Sequence, residues 1–208
     1  DSETLFEAEK ELTAIRLHEL QENPIKGRFD FAHLKAIHKY IFQDIYDWAG
    51  EVRNVEIGKG NLFCITTCIR EYANSVFNKY YSQCYSARND IDEFIKVFAE
   101  NYGDLNALHP FREGNGRTQR EFARMVCLEC GYDFNLYVTT HNEMLEASKL
   151  SFDKGDSSLL VDIFSKAVKP YSSQTEYDNN MLRILTSDDL VIVPDSDYEY
   201  YILGEHKD

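Results

Sequence analysis

His109-Pro110-Phe111-Arg112-Glu113-Gly114-Asn115-Gly116-Arg117-Thr118-Gln119-Arg120 is the stretch on which the reading of this chain turns. Upstream, Ile91, Phe94, Ile95, Phe98, Tyr102, Leu105 and Leu108 recur at i, i+3, i+4 spacing, the buried face of a helix that starts at Asp90. Pro110 disfavours helical geometry in the residue before it, which puts His109 at a helix end. A second helical pattern opens near Asn115, carries Phe122, Met125, Val126 and Leu128, and stops at Gly131, with Gly114 and Gly116 flanking its first turn. Two helices meeting at a glycine turn predict a mainly α fold. The first-turn N–H groups of the second helix then open toward the loop.

Arg117, Arg120 and Arg124 lie at i, i+3, i+7 near that N-terminus, where the helix dipole disfavours exposed cations by roughly 0.3–1 kcal/mol each. Local chemistry that opposes the fold marks a functional site, and a phosphate chain would offset it. The same loop holds the other parts that phosphoryl chemistry needs. His109 is a base. Glu113 is an oxygen ligand for Mg²⁺, which takes one or two carboxylates and leaves its other positions to phosphate and water. Taken singly, a histidine at a helix end reads as a cap and Gly-Asn-Gly as a turn, so the conjunction carries the information.

Together these residues resemble the signature of the Fic family: His, any residue, Phe, any residue, Asp or Glu, Gly-Asn-Gly-Arg, two residues, Arg. Every fixed position is matched. Gly27-Arg28-Phe29-Asp30, His33-Leu34, Ile37-His38 and the run from Asp44 to Arg53 are also similar to the entry of Fic domains, so the resemblance covers residues 1–168. It implies a Fic fold, a helical bundle with a small β-hairpin flap. It further implies a protein adenylyltransferase that moves AMP from ATP to a Ser, Thr or Tyr hydroxyl of a target protein. In those terms His109 deprotonates the hydroxyl and Glu113 holds Mg²⁺ against the α and β phosphates. Gly114, Asn115 and Gly116 cradle the phosphates, Arg117 contacts them, Arg120 reaches the γ-phosphate, and Phe111 pins the loop to the core. Two alternatives stay open: the same site with another donor (a different nucleotide, phosphate or phosphocholine), and a binding module without turnover.

Val52-Arg53-Asn54-Val55-Glu56-Ile57, then Gly58-Lys59-Gly60-Asn61, then Leu62-Phe63-Cys64-Ile65 alternate around a glycine-rich turn and predict a β-hairpin. The resemblance makes this the flap, whose edge pairs with target main chain. Lys59, Gly60, Asn61, Leu62 and Phe63 are the docking candidates. The pattern by itself fits an exposed hairpin without a partner equally well.

With 208 residues, 43% of them hydrophobic, the chain can bury a sizeable core. Further helices are expected near Ser2 to Glu22, Phe31 to Phe42 with Asp30 as N-cap, Thr66 to Tyr80, His141 to Phe152, and Ser157 to Val168. The one near His141 is opened by a Thr140/Glu143 capping box. No run of about 18 apolar residues and no signal-peptide pattern is present, so no membrane association is expected. Five scattered cysteines argue against a secreted disulfide framework and for the cytoplasm. Cys64 with Cys68, and Cys127 with Cys130, have zinc-like spacing in apolar sequence, where cysteine serves as a small core side chain.

A net charge of −14 weighs against direct nucleic-acid binding. Residues 170–208 hold nine acids against Arg183 and Lys207, half of that excess, and read as a separate acidic extension, 169–208. Leu190 to Val193 and Tyr198 to Leu203 predict a second hairpin within it, with a partly ordered tail as the alternative. Many Fic proteins are restrained by an inhibitory helix bearing Ser or Thr, three residues, Glu, then Gly or Asn. Its Glu pairs with the second motif arginine, here Arg120. The nearest copy in this sequence, Ser172 to Glu176, is followed by Tyr177. The resemblance therefore implies a toxin-like member whose inhibitory helix comes from a separate antitoxin, with topoisomerase subunits as the targets of that class.

Overall fold

The computed structural model describes residues 2–59, 61–171 and 201–203. Its helices are α1 (Ser2–Glu22), α2 (Phe31–Phe42), α3 (Ile69–Phe77), α4 (Tyr80–Ala87), α5 (Ile91–Leu108), α6 (Asn115–Glu129), α7 (His141–Lys154) and α8 (Ser158–Ala167). Short strands accompany them: β1 (Glu56–Lys59), β2 (Asn61–Leu62), β3 (Tyr132–Phe134), β4 (Val168–Pro170) and β5 (Tyr201–Leu203). The fold is mainly α, as expected.

Helix starts follow local chemistry. The Asp30 carboxylate accepts the N–H of His33 at 2.9 Å, and the Asp90 carboxylate accepts those of Asp92 and Glu93, satisfying donors that a helix leaves unpaired. Thr140 and Glu143 form the reciprocal capping box. The anticipated helix from Thr66 to Tyr80 is instead three pieces: a 3-10 turn at Thr66–Cys68, α3 and a restart at α4. The break tightens the backbone, with the Lys79 N–H reaching Val76 O, and no Gly or Pro in the sequence marks it.

α5 and α6 form the spine. Phe94, Ile95, Phe98, Ala99, Tyr102, Leu105 and Leu108 of α5 are buried, and α6 is covered almost throughout, from Arg117 to Cys127. Phe122, wholly buried, meets Phe29, Phe77 and Tyr80 edge-on or tilted, and burial of such a ring stabilises by roughly 1.5–3 kcal/mol. α6 reads as polar yet sits at the centre, because two of its arginines carry carboxylate partners into the core. Arg124 pairs with Glu121 and also donates to Leu20 O, while Arg117 pairs with Glu9 of α1. The cations counted as misplaced in the sequence are thus neutralised, for Arg117 and Arg124, by the protein's own carboxylates. Arg120 is left as the cation that would meet an external polyanion.

β1 and β2 form the predicted hairpin in a shorter version, with Gly58 opposite Leu62 and Lys59 opposite Asn61. Val52 to Val55 do not join it, because this segment is tied to the motif loop: the Arg53 N–H donates to Pro110 O at 2.9 Å. On its other side β1 pairs antiparallel with β5, Ile57 opposite Ile202 and Gly58 opposite Tyr201. Tyr201–Leu203 therefore extends the flap sheet, while Leu190 to Val193, expected as its hairpin partner, lies outside the described residues. β3 pairs with β4, and the Tyr171 N–H bonds to Gly131 O, so the ordered framework continues past Val168 into the segment read as an extension. Among the described residues no helix is long and apolar enough to cross a membrane.

Candidate active site

Between α5 and α6 the chain makes the turn that Pro110 and the glycines call for. His109 caps α5 in the left-handed region, φ +41°, and is only 3% exposed. A non-glycine residue with positive φ is uncommon and is held there by its surroundings. Arg53 does the holding: its buried guanidinium donates to His109 O at 2.8 Å, Val55 O at 2.8 Å and Cys64 O. Three backbone carbonyls from three places are thus fixed by one side chain.

Asn115, expected to cradle phosphates, spends its side-chain amide inside the loop. Its Oδ1 accepts the Phe111 N–H at 2.9 Å and its Nδ2 donates to Phe111 O at 2.7 Å, a side-chain imitation of strand pairing that closes the turn. Gly114, the N-cap of α6, has φ +76°, and a Cβ there would stand 2.1 Å from Phe42 Cζ, so only glycine fits. Phe111 is buried and stacks on His38, ring centroids 3.8 Å apart, in the anchoring place expected of it. Gly116 lies in the first turn of α6, the end of the helix that favours anions.

His38 braces the loop from α2. Its Nδ1 accepts the Gly50 N–H at 2.8 Å, which leaves the proton on Nε2 to donate to Glu113 O at 3.0 Å. Burial depresses its pKa to about 4, so this tautomer persists at neutral pH. The Glu113 carboxylate accepts the Gly114 N–H on Oε1 at 2.9 Å, and that oxygen lies 3.6 Å from Arg117 Nη2. Arg117, expected to contact phosphates, is itself buried against Glu9, Thr13 and the face of Phe42, its Cζ 4.7 Å from the ring centroid. A carboxylate takes the place given to a phosphate in the sequence reading. Arg120 is half-buried and, among the described residues, its guanidinium makes no hydrogen bond or ion pair.

The model of the Fic/DOC family matches residues 28–127. A probable protein adenylyltransferase Fic from Escherichia coli is 32% identical over 166 residues, 79% of this chain and 81% of that protein. The chain belongs to the Fic/DOC family. Protein adenylyltransferase VbhT of Bartonella schoenbuchensis is 36% identical over 86% of this chain, which spans only 37% of that relative's length. Among solved structures, the BepC protein of Bartonella tribocorum with bound AMPPNP superposes with a TM-score of 0.76 at 22% identity, covering 83% of this chain and 90% of that one. The N-terminal Fic domain of a Bartonella quintana effector with bound ADP gives 0.77 at 24% identity, over 83% and 88%. These likenesses confirm a Fic fold.

In this Fic domain the flap and the motif loop touch. Phe63, expected to face a target, points inward and lies flat on the His109 ring, centroids 3.7 Å apart and planes within 5°. Asn61 and Leu62 are exposed, Asn61 donating to Asp153 at 2.7 Å, Lys59 lies in β1, and Gly60 is outside the described residues. Glu56 steadies the base of the flap by accepting the Thr66 N–H and hydroxyl, and these bonds hold its carboxyl below the usual range. Arg53, Glu9 and Phe42 escaped the sequence reading. Arg53 stood inside the quoted run from Asp44, but nothing in its spacing announces three carbonyl contacts.

Cys84, Cys127 and Cys130 are buried, and burial raises their thiol pKa values; among the described residues no group of three metal-ligating side chains occurs. The residues present suit a magnesium ion completed by substrate: a part-exposed carboxylate, Glu113, stands next to a helix N-terminus where phosphates are favoured.

Proposed function

We propose that this chain is a protein adenylyltransferase that moves AMP from ATP onto a Ser, Thr or Tyr hydroxyl of another protein. The observation that carries the reading is the loop itself: His109 is held in a left-handed turn directly before the N-terminus of α6, with Glu113 and Gly114 between them. Relatives aligned over most of this chain bear the name protein adenylyltransferase, which supports the same assignment.

In the proposed reaction the target hydroxyl oxygen attacks the α-phosphorus, its proton passes to a ring nitrogen of His109, and pyrophosphate leaves in line. Glu113 would hold Mg²⁺, which supplies charge neutralisation at the phosphate oxygens. Gly114, Asn115 and Gly116 shape the anion-binding turn, and Arg120 is the cation left to meet the γ-phosphate. Arg117 takes a supporting role behind Glu113. The flap, through its strand edges and the exposed Asn61 and Leu62, would receive the target main chain.

We assign the inhibitor to a separate antitoxin whose helix brings a carboxylate to Arg120, the place where a γ-phosphate would otherwise bind. Bacterial topoisomerase subunits are the first targets to test, and the cytoplasm is the compartment expected. With no antitoxin present, expression of the wild type is expected to slow growth and His109→Ala to restore it; equal growth overturns the toxin reading.

The enzymatic test mixes the chain with ATP, Mg²⁺ and bacterial lysate and measures the mass added to protein hydroxyls. An AMP-sized increment that His109→Ala abolishes is expected. An increment of phosphate or phosphocholine size would transfer the site to another donor, and no increment with any donor would leave a binding module.

A further inference from the structure

Asn61 and Asp153 are 92 positions apart and both exposed, yet the Asn61 side-chain amide donates to Asp153 Oδ1 at 2.7 Å. Asp153 lies in the last turn of α7, where the helix dipole disfavours an acid, so a donor from outside the helix offsets a local mismatch. The end of α7 that carries it is firmly seated. Ser151 Oγ fills the space that a Cβ on Gly103 of α5 would need, 2.3 Å from that position, and Phe152 meets Phe63 at 5.0 Å.

The flap on the other side of this bond has little to hold it by itself. β1 and β2 share two residue pairs, Gly58 with Leu62 and Lys59 with Asn61, and a short two-stranded hairpin is marginal in water. β5 braces β1 and leaves β2 without it. Alternation along the strand gives Asn61 and Phe63 one face and Leu62 the other. The first face meets α7, Asn61 through Asp153 and Phe63 through Phe152, while Leu62 stays exposed. Two consecutive residues of α7 thus grip the flap at two points. The aromatic point also carries the His109 stack, and the polar point lies nearer the turn of the hairpin.

We propose that Asp153 is a positioning residue for target docking: by accepting Asn61 Nδ2 it latches the flap to α7 and fixes the direction of the small sheet to whose edge a target strand adds. This rests on the reading of the flap as the docking element. Strand addition needs several main-chain bonds in register, so an edge that swings loses affinity for the target. The chemistry, set by the separately anchored Phe63 and His109, is untouched.

The test follows hydrogen exchange of the flap amides, residues 57–63, and the initial rate of AMP transfer from ATP, with Mg²⁺, to bacterial lysate protein over a dilution series. Both positions are exposed, so the variants are expected to keep the wild-type melting temperature. Asp153→Ala is expected to speed flap exchange and to slow transfer at high dilution roughly three- to tenfold, the scale of one hydrogen bond, with nucleotide affinity and the rate in concentrated lysate unchanged. Asn61→Asp sets two carboxylates against each other and is expected to speed exchange and slow transfer at high dilution in the same way. Asn61→Asp combined with Asp153→Asn exchanges donor and acceptor at the wild-type net charge and is expected to return exchange and transfer to within about twofold of wild type. A double variant as slow as Asn61→Asp overturns the latch, as does an Asp153→Ala protein that exchanges like wild type or transfers no more slowly. Deletion of residues 201–208 and Leu62→Asp probe the two sides of the flap for docking. If neither moves the rate, the docking reading fails and this proposal with it; if one does while Asp153→Ala does not, the proposal alone fails.

Discussion

Phe63 and His109 lie face to face, ring centroids 3.7 Å apart and planes within 5°, so the residue following the flap forms one wall of the histidine's slot. Phe63 in turn meets Phe152 of α7 at 5.0 Å, which ties the stack to the core. A base must stand within hydrogen-bond reach of its proton, and small displacements there cost up to about a hundredfold. Phe63→Ala is expected to lower the rate at saturating ATP by ten- to a hundredfold while nucleotide affinity stays within about twofold. Loss of the buried ring is also expected to destabilise the fold by about 3 kcal/mol. Single-turnover modification rates and nucleotide titration separate the two effects, and an unchanged rate would show that His109 needs no such wall.

Arg117 and Arg120 stand one turn apart and should behave oppositely. Arg117 is a buried partner of Glu9, so Arg117→Ala strands a carboxylate and is expected to cost about 3–5 kcal/mol of stability. Arg120 makes no ion pair among the described residues, so Arg120→Ala is expected to keep the melting temperature and to weaken nucleotide binding. One charge-assisted hydrogen bond, about 1.5–3 kcal/mol, corresponds to roughly ten- to a hundredfold in affinity. Thermal unfolding and nucleotide titration on the pair check both; unfolding of Arg120→Ala with affinity retained would exchange their roles.

His38 gives the fold a pH limit. Burial lowers its pKa from 6.5 to about 4, and burial also lowers that of His33. A folded state that binds the proton less readily than the unfolded one loses stability as pH falls from 6.5 toward 4, and is unaffected above that window. The difference for His38 is worth about 3 kcal/mol once pH reaches the folded value. Urea unfolding between pH 7.5 and 4.5 should show that decline, with a shallower slope in His38→Gln; a flat profile in the wild type would place a proton on the folded imidazole.

How far the sequence could be read depended on the distance over which each interaction acts. The glycine turn, the His109 helix end and the caps at Asp30 and Thr140 are set within a few residues, and spacing exposes them. Glu9 and Arg117 meet across 108 positions, and Arg53 reaches the carbonyl of His109 across 56, so no local pattern names them. Helix polarity alone makes three cations look misplaced, and two of them have carboxylates waiting in the tertiary structure. Phe63 was visible as part of a hairpin, but strand alternation does not reveal which face meets the active site.

The strand at Tyr201–Leu203 leads to a last expectation, because it lies along β1 with Glu56 opposite Leu203. Strand edges recruit other chains through their unpaired N–H and C=O groups, and an edge already paired is closed to them. β2 covers one side of β1 and the tail strand the other, so a target adding to β1 must first displace this chain's own segment. Three residues of antiparallel pairing form a modest barrier, displaced more readily than a full strand of five or six residues. Deleting residues 201–208 is therefore expected to raise the rate of target modification several-fold at limiting target, leaving nucleotide affinity and the rate at saturating target unchanged. A rate that does not move with the deletion would assign docking to the β2 side, where Asn61 and Leu62 are exposed, and substitution of Leu62 by Asp should then be the change that slows modification.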